Sequence, residues 1–282
     1  MGIERILLDE NPSIILVEGD TNTVLAGALA AHKLGVKVGH VEAGLRSYDR
    51  RMPEEVNRVL ADHCSDYLFA PTENSRRILL GEGIPDEKIF VTGNTIVDAV
   101  HQNLKMAEKS KVLEELKLCE GRYFLATLHR QENVDDKEVF SSIMEGLEEV
   151  NNTFNEPVVY PVHPRARKMM DGFKLNPGIM LLDSVDYLSF LRLEKDARLI
   201  LTDSGGVQEE ACILKVPCVT LRENTERPET VDVGANVIAG TKPEKKLEAT
   251  RRMVSKERAW ENPFGEGNSG DIIVDLIIGA AL

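Results

Sequence analysis

LILTDSGGVQEEACILKVPCVTLRENTERPE, residues 199–229, is the stretch on which the fold reading turns. Its apolar start, Leu199-Ile200-Leu201, predicts a buried strand. Asp203-Ser204-Gly205-Gly206 predicts a tight turn, and Val207 to Leu214 a helix. A strand, a Gly-Gly turn and a helix start together make an anion site. The first helical N–H groups have no intrahelical acceptor and carry the positive end of the dipole, and glycine lets a phosphate approach them closely. The Ser204 hydroxyl either adds a donor or serves only as an N-cap. Glu210, one turn inside the helix, either accepts from a pair of ribose hydroxyls or is a solvated helix residue. Arg227 follows a second strand, Cys218 to Leu221, and can bring a fixed cation to a diphosphate.

Working outward, the same rhythm fills most of the chain. Strands are predicted at Ile14 to Val17, Val36 to Val41, Tyr67 to Ala70 and Lys88 to Val91, with helices at Gly2 to Glu10, Thr21 to Leu34, Pro53 to Cys64 and Glu73 to Leu80. Gly93-Asn94 breaks the pattern, and a long polar helix runs from Thr95 to about Leu116. Strands at Tyr123 to Thr127, Val158 to Val162 and Ile179 to Leu182 then alternate with helices at Lys137 to Asn152, Arg165 to Phe173 and Leu188 to Lys195. This predicts an α/β protein of two doubly wound Rossmann-like domains, 1–94 and 95–267. A C-terminal amphipathic helix at about 268–282 is expected to pack back on the first domain. Because the pattern opens on a helix in mid-rhythm, the first domain reads as incomplete.

The 34 basic and 47 acidic residues give a net charge of -13, which argues against a nucleic-acid surface. Hydrophobic content of 42% and charged content of 29% describe an ordinary globular protein. The sequence shows no secretory leader and no run of about 18 apolar residues, so neither a membrane span nor export is expected. Cys64, Cys119, Cys212 and Cys218 show no zinc spacing and read as reduced thiols of a cytoplasmic protein.

Open parallel sheets bind ligands at the carboxyl ends of their strands. Asp20 follows the first strand and reads as a helix cap or a functional acid. Glu42 follows the second strand, near Gly44 and Arg46, where a carboxylate has no strong structural purpose. Pro53-Glu54-Glu55 is helix-start grammar that accounts for one glutamate. Glu54 and Arg58 share a helix face, and spacing alone favours a surface pair. His129 and His163 follow successive strands and suit phosphate contact or proton transfer. Neither sits in a metal-binding spacing.

In combination, HVEAGLRS (40–47), MPEEVNR (52–58), FVTGNTIVDA (90–99), ATLHRQEN (126–133), YPVHPR (160–165), LTDSGGVQEEA (201–211) and TERPE (225–229) closely resemble the non-hydrolysing UDP-N-acetylglucosamine 2-epimerases. The resemblance spans nearly the whole chain. It implies a GT-B fold with UDP bound between two domains, and interconversion of UDP-GlcNAc and UDP-ManNAc for glycan synthesis. The route is elimination of UDP to 2-acetamidoglucal followed by re-addition. The resemblance makes Asp20, Glu42 and Glu54 the catalytic carboxylates, with crowding expected to split their pKa values. It makes His129 a diphosphate partner or proton carrier, and Arg58 the orienter of a carboxylate. Ser204, Gly205, Gly206 and Arg227 would hold the diphosphate, Glu210 the ribose, and the Phe190 main chain the uracil. His163 matches a position lining the allosteric site of bacterial members. UDP-GlcNAc and UDP are the implied partners, a homodimer the implied assembly, and neither a metal nor a nicotinamide cofactor is needed.

The family ordinarily begins with a further βα section bearing a glycine-arginine-proline turn. Without it, weakened catalysis and an intact UDP site are expected. The alternatives are a hydrolysing relative, a UDP-sugar glycosyltransferase of the same fold, and a UDP-binding protein without turnover.

Overall fold

The computed structural model describes residues 2–170 and 176–281. The chain forms two compact units, Met1–Asp98 with Phe264–Leu282, and Ala99–Pro263. The boundary falls inside a helix.

In the first unit, α1 (Gly2–Glu10), β1 (Ile14–Glu18), α2 (Asn22–Leu34), β2 (Lys37–Val41), α3 (Pro53–Cys64), β3 (Tyr67–Ala70), α4 (Glu73–Gly81) and β4 (Ile89–Val91) follow in turn, and α5 (Thr95–Ala107) crosses the boundary. The strands are parallel and run β1-β2-β3-β4 across the sheet. The local grammar explains the helix ends. Thr21 caps α2 by accepting from Val24 N at 3.4 Å, and Gly35 closes it at φ 75°. Pro53 opens α3 with Glu54 and Glu55 in its first turn. The alanine stripe of α2, Ala28 and Ala31, packs with Val24 against Val17 and Val38. From Val38 onward β2 is buried, as a central parallel strand must be, and this takes a histidine, His40, fully inside.

The second unit contains α6 (Val112–Glu115), β5 (Phe124–Thr127), α7 (Gln131–Val134), α8 (Lys137–Phe154), β6 (Val158–Pro161), α9 (Pro164–Met169), β7 (Ile179–Leu182), α10 (Tyr187–Lys195), β8 (Leu199–Thr202), α11 (Gly205–Ile213), β9 (Cys218–Thr220), α12 (Pro228–Asp232), β10 (Asn236–Ile238) and α13 (Pro243–Val254). Its six parallel strands run β10-β9-β8-β5-β6-β7. Alternate strand residues feed the two faces. Phe124, Ala126, Leu199 and Leu201 pack with α8 and α13, while Leu125 and Ile200 pack with α6, α10 and α11. Leu199, Ile200 and Leu201 are fully buried, each worth about 1.5–3 kcal/mol for leaving water.

The C-terminal helix, α14 (Ser269–Ala281), lies on the first unit, where Ile273 meets Val41 and Phe69. Asp98 accepts from Ser269 N and Gly270 N at 3.2 and 3.0 Å and so caps it. Residue 282 lies outside the described residues.

Two predicted elements change, and one unassigned stretch gains structure. The long helix from Thr95 ends at Ala107 in tight turns, with Lys109 N and Ser110 N donating to Met106 O and Ala107 O, and α6 begins afresh at Val112, whose N donates to Ser110 Oγ at 3.3 Å. The helix predicted over 165–173 is seen as α9 to Met169, and residues 171–173 lie outside the described residues. The tail to which the sequence pattern assigned no element carries β10, registered on β9, and α13. Among the described residues no helix is long and apolar enough to cross a membrane.

Candidate active site

In the second unit the strand order reverses between β5 and β8, which are paired from Phe124↔Leu199 to Thr127↔Thr202. The carboxyl ends of these two strands therefore flank the natural ligand crevice of an open parallel sheet. β8 delivers the tip of α11 there and β5 delivers His129. Ser204 is the N-cap, its Oγ accepting from Val207 N at 3.4 Å. The capping role thus holds, and the hydroxyl proton is left to donate. The two glycines are the first turn of the helix rather than a separate turn. A Cβ at Gly205 would lie 2.7 Å from Glu226 Oε1 and 3.6 Å from Arg227 Cζ. Close approach, not a left-handed backbone, is what demands glycine here.

Arg227 is buried, its Nε 2.7 Å from Oε1 of Glu209 on α11. Glu226 joins Arg130 and Arg222, each at 2.8 Å. Three arginines are thus fixed by two buried carboxylates around a glycine helix tip, a site for a multiply charged anion.

His129 and His163, predicted at successive strand ends, come together with ring centroids 6.2 Å apart. His129 Nδ1 is 2.9 Å from Asp203 Oδ1. Asp203 is fully buried and also accepts from the backbone N of His129 (3.1 Å) and of Arg130 (3.1 Å), and from Asn133 Nδ2 (3.1 Å). The carboxylate fixes the imidazole by Nδ1, and the ring is 40% exposed. His163 caps α9, its Nδ1 accepting from Arg165 N at 3.2 Å.

Glu210 is not a solvated helix residue. It is nearly buried and accepts from the Tyr187 hydroxyl at 3.1 Å. Burial raises its pKa, against the lowering effect of hydrogen bonds from Tyr187 and Glu194. Glu194, fully buried on α10, is raised well above the carboxylate range, by burial and then by the Glu210 charge. Phe190 lies on the same helix, packed against the core beneath it.

In the first unit, Asp20, Glu42, Glu54 and Arg58 stand at or beside the carboxyl ends of β1 and β2 and the start of α3. The predicted surface pair of Glu54 with Arg58 is corrected. Arg58 is 2% exposed, and it reaches Asp20 through Nη2 and Glu55 through Nη1 at 2.8 Å. Glu55, the glutamate assigned to helix-start grammar, has a second task. It accepts from Ser47 N (2.9 Å), Ser47 Oγ (2.9 Å) and Tyr48 N (2.8 Å), tying down the loop after Glu42. Glu42 sits in the left-handed region at φ 68°, a costly place for a side-chain-bearing residue, and accepts from Asn94 Nδ2 at 3.1 Å.

The sequence pattern singled out neither Asp203, Glu209, Arg222 nor Glu226. Asp203 could have been flagged as an acid immediately before the capping serine. Among the described residues no group of three histidine, cysteine or acidic side chains could hold a metal ion.

A glycine-opened helix tip at a strand-order reversal, ringed by arginines, is the anatomy of a nucleotide-binding α/β protein. The chain belongs to the UDP-N-acetylglucosamine 2-epimerase family, whose sequence profile matches residues 1–278. It is 55% identical to the UDP-N-acetylglucosamine 2-epimerase of Methanococcus maripaludis, over 99% of this chain and 79% of that protein. It is similar to the crystal structure of Methanocaldococcus jannaschii UDP-GlcNAc 2-epimerase in complex with UDP-GlcNAc and UDP, with a TM-score of 0.93, 56% identity, and coverage of 98% of this chain and 78% of that one. A more distant relative is the UDP-2,3-diacetamido-2,3-dideoxy-D-glucuronate 2-epimerase of Pseudomonas aeruginosa, 43% identical over 98% of this chain and 78% of that protein.

Proposed function

We propose that the protein is a non-hydrolysing UDP-N-acetylglucosamine 2-epimerase that interconverts UDP-GlcNAc and UDP-ManNAc. The observation that carries this reading is the Asp203-fixed His129 beside the arginine-ringed tip of α11. One unit offers both a holder for a departing diphosphate and an imidazole able to carry a proton.

The C2 hydrogen is not next to a carbonyl and is weakly acidic, so the anomeric C–O bond breaks largely first. Its electron pair leaves with UDP, which Arg227, Ser204 and the N–H groups of Gly205 and Gly206 stabilise. Positive charge then develops at C1, and Asp20, Glu42 and Glu54 offset it. One of these carboxylates takes the C2 proton as the C1–C2 double bond of 2-acetamidoglucal forms. Return of a proton to the opposite face of C2, and of the UDP oxygen to C1, completes the exchange. Glu210 holds the ribose hydroxyls, Phe190 the uracil through its main chain, and Arg58 the Asp20 carboxylate. His163 belongs to a regulatory site for a second nucleotide sugar. With this reading go a homodimer, a cytoplasmic location and supply of UDP-ManNAc to glycan synthesis.

Chromatographic separation of the products tests the reading. UDP-ManNAc at equilibrium with UDP-GlcNAc is expected, whereas free N-acetylmannosamine with UDP would mark a hydrolysing enzyme, and UDP binding without turnover would refute the activity. Glu210→Ala is expected to weaken UDP by about 1–3 kcal/mol, the scale of hydrogen bonds to a charged group, as read by calorimetry. Unchanged affinity would remove Glu210 from the ribose site.

A further inference from the structure

The buried histidine of β2 has hydrogen bonds that fix its charge. His40 is fully buried, with Nδ1 2.6 Å from Asp62 Oδ1 and Nε2 2.9 Å from the Gly19 carbonyl oxygen. A carbonyl only accepts, so Nε2 must carry a proton. Asp62 also accepts from Gly44 N at 3.2 Å and from Arg46 Nη2 at 2.7 Å, which makes it an ionised acceptor, so Nδ1 must carry one too. The ring is therefore an imidazolium. The charged groups around it are Asp62 from α3, Arg46 and Glu42 from the segment after β2, and Glu82, which clasps Arg46 through Nε and Nη2 at 2.9 and 2.6 Å, so carboxylates outnumber cations and favour the charged ring.

The carbonyl that His40 grips belongs to the peptide plane joining Gly19 to Asp20. Gly19 is left-handed at φ 81°, and its N donates to Val41 O at 3.2 Å, so both polar groups of this glycine are tied to β2. The next residue is Asp20, whose carboxylate meets Arg58. We propose that His40 is a positioning residue for Asp20: as a buried imidazolium it clamps the 19–20 peptide plane and so aims the Asp20 carboxylate at the substrate. This rests on the epimerase reading given above.

The sign of the pH dependence follows. Burial alone would lower the His40 pKa, but the charge and hydrogen bond of Asp62, the Gly19 carbonyl and the Glu42 charge together raise it above 6.5. Burial would likewise raise Asp62, but His40 and Arg46 bring it down. The clamp is complete at and below pH 6.5 and is lost as pH rises through the raised folded value. Turnover and stability should both fall along that alkaline limb.

Two measurements on the full chain test this. In protein labelled with nitrogen-15 at histidine, with His40 assigned by its loss in His40→Gln, both ring nitrogens should remain protonated at pH 7.5, where exposed histidines have lost one proton. A bare ring nitrogen on His40 at that pH would overturn the proposal. His40→Gln should lower kcat about 10- to 100-fold, the cost of a small misplacement of a reacting group, leave UDP affinity unchanged, and lack the alkaline limb. In an Asp20→Asn background, His40→Gln should cost little more. Additive losses, or an alkaline limb that persists in His40→Gln, would overturn the clamp. Should the variant fail to fold, its nitrogen signals assigned instead by sequential resonances of the wild type decide. A wild-type chain that binds UDP without turnover would refute the epimerase reading, and the nitrogen spectrum would still judge the charge of His40.

Discussion

Replacing Arg58 by methionine is expected to lower the unfolding free energy by about 3 kcal/mol and to remove most of the turnover. The side chain is 2% exposed and stands between Asp20 and Glu55. Methionine keeps much of its apolar stem but removes the cation, leaving a buried carboxylate without its counter-charge. Such losses run to about 3–5 kcal/mol. The lower end applies, because Glu55 keeps its three donors from Ser47 and Tyr48, and Asp20 retains contact with water. Urea unfolding should show a lower midpoint at unchanged slope. A loss under about 1 kcal/mol would mean that solvent reaches Glu55 and that the ion pair does not organise the start of α3.

Asp203→Asn should have the larger effect on chemistry, lowering kcat by about 10²–10⁴-fold, the range for loss of a positioned proton carrier. Asp203 gathers His129 N, Arg130 N and Asn133 Nδ2 around a single fully buried carboxylate, and also fixes His129 Nδ1. An amide offers one accepting oxygen, and its NH2 would face donors. The imidazole would then lose the partner that sets its tautomer and its orientation. UDP affinity, which depends mainly on Arg227 and the α11 tip, should change far less. Steady-state kinetics beside UDP calorimetry separates the two. A kcat within threefold of wild type would show that His129 does not take part in proton transfer.

The parts of the site that could be read in the sequence are those built from neighbours. Gly205 and Gly206 at a strand-to-helix junction, and carboxylates and histidines just past predicted strands, follow from local rules. What could not be read is the partnership between distant residues. Asp20 and Arg58 are 38 residues apart, and spacing alone paired Arg58 with Glu54 on its own helix. Arg130 and Glu226 are 96 apart, so no local pattern points to the carboxylate that braces the arginines. The fold errors have local causes instead. The helix from Thr95 closes in tight turns after Ala107, and the Ser110 hydroxyl then accepts from Val112 N where α6 begins, neither of which apolar periodicity reveals. β10 is three residues long, too short to show a period, and its Asn236 is buried against Gln208 and Thr230. His40 passed unremarked for the opposite reason: it sits in an apolar strand, where its role depends on Asp62 and Gly19, which no local pattern couples to it.

The central claim is that UDP leaves and returns while the C2 proton is exchanged. Proton NMR of UDP-GlcNAc incubated with the protein in deuterated water tests this most directly. The account predicts UDP-ManNAc with deuterium at C2, and deuterium washing into the recovered UDP-GlcNAc as equilibrium is approached. UDP-ManNAc that keeps its C2 hydrogen, or no UDP-ManNAc at all, would contradict it.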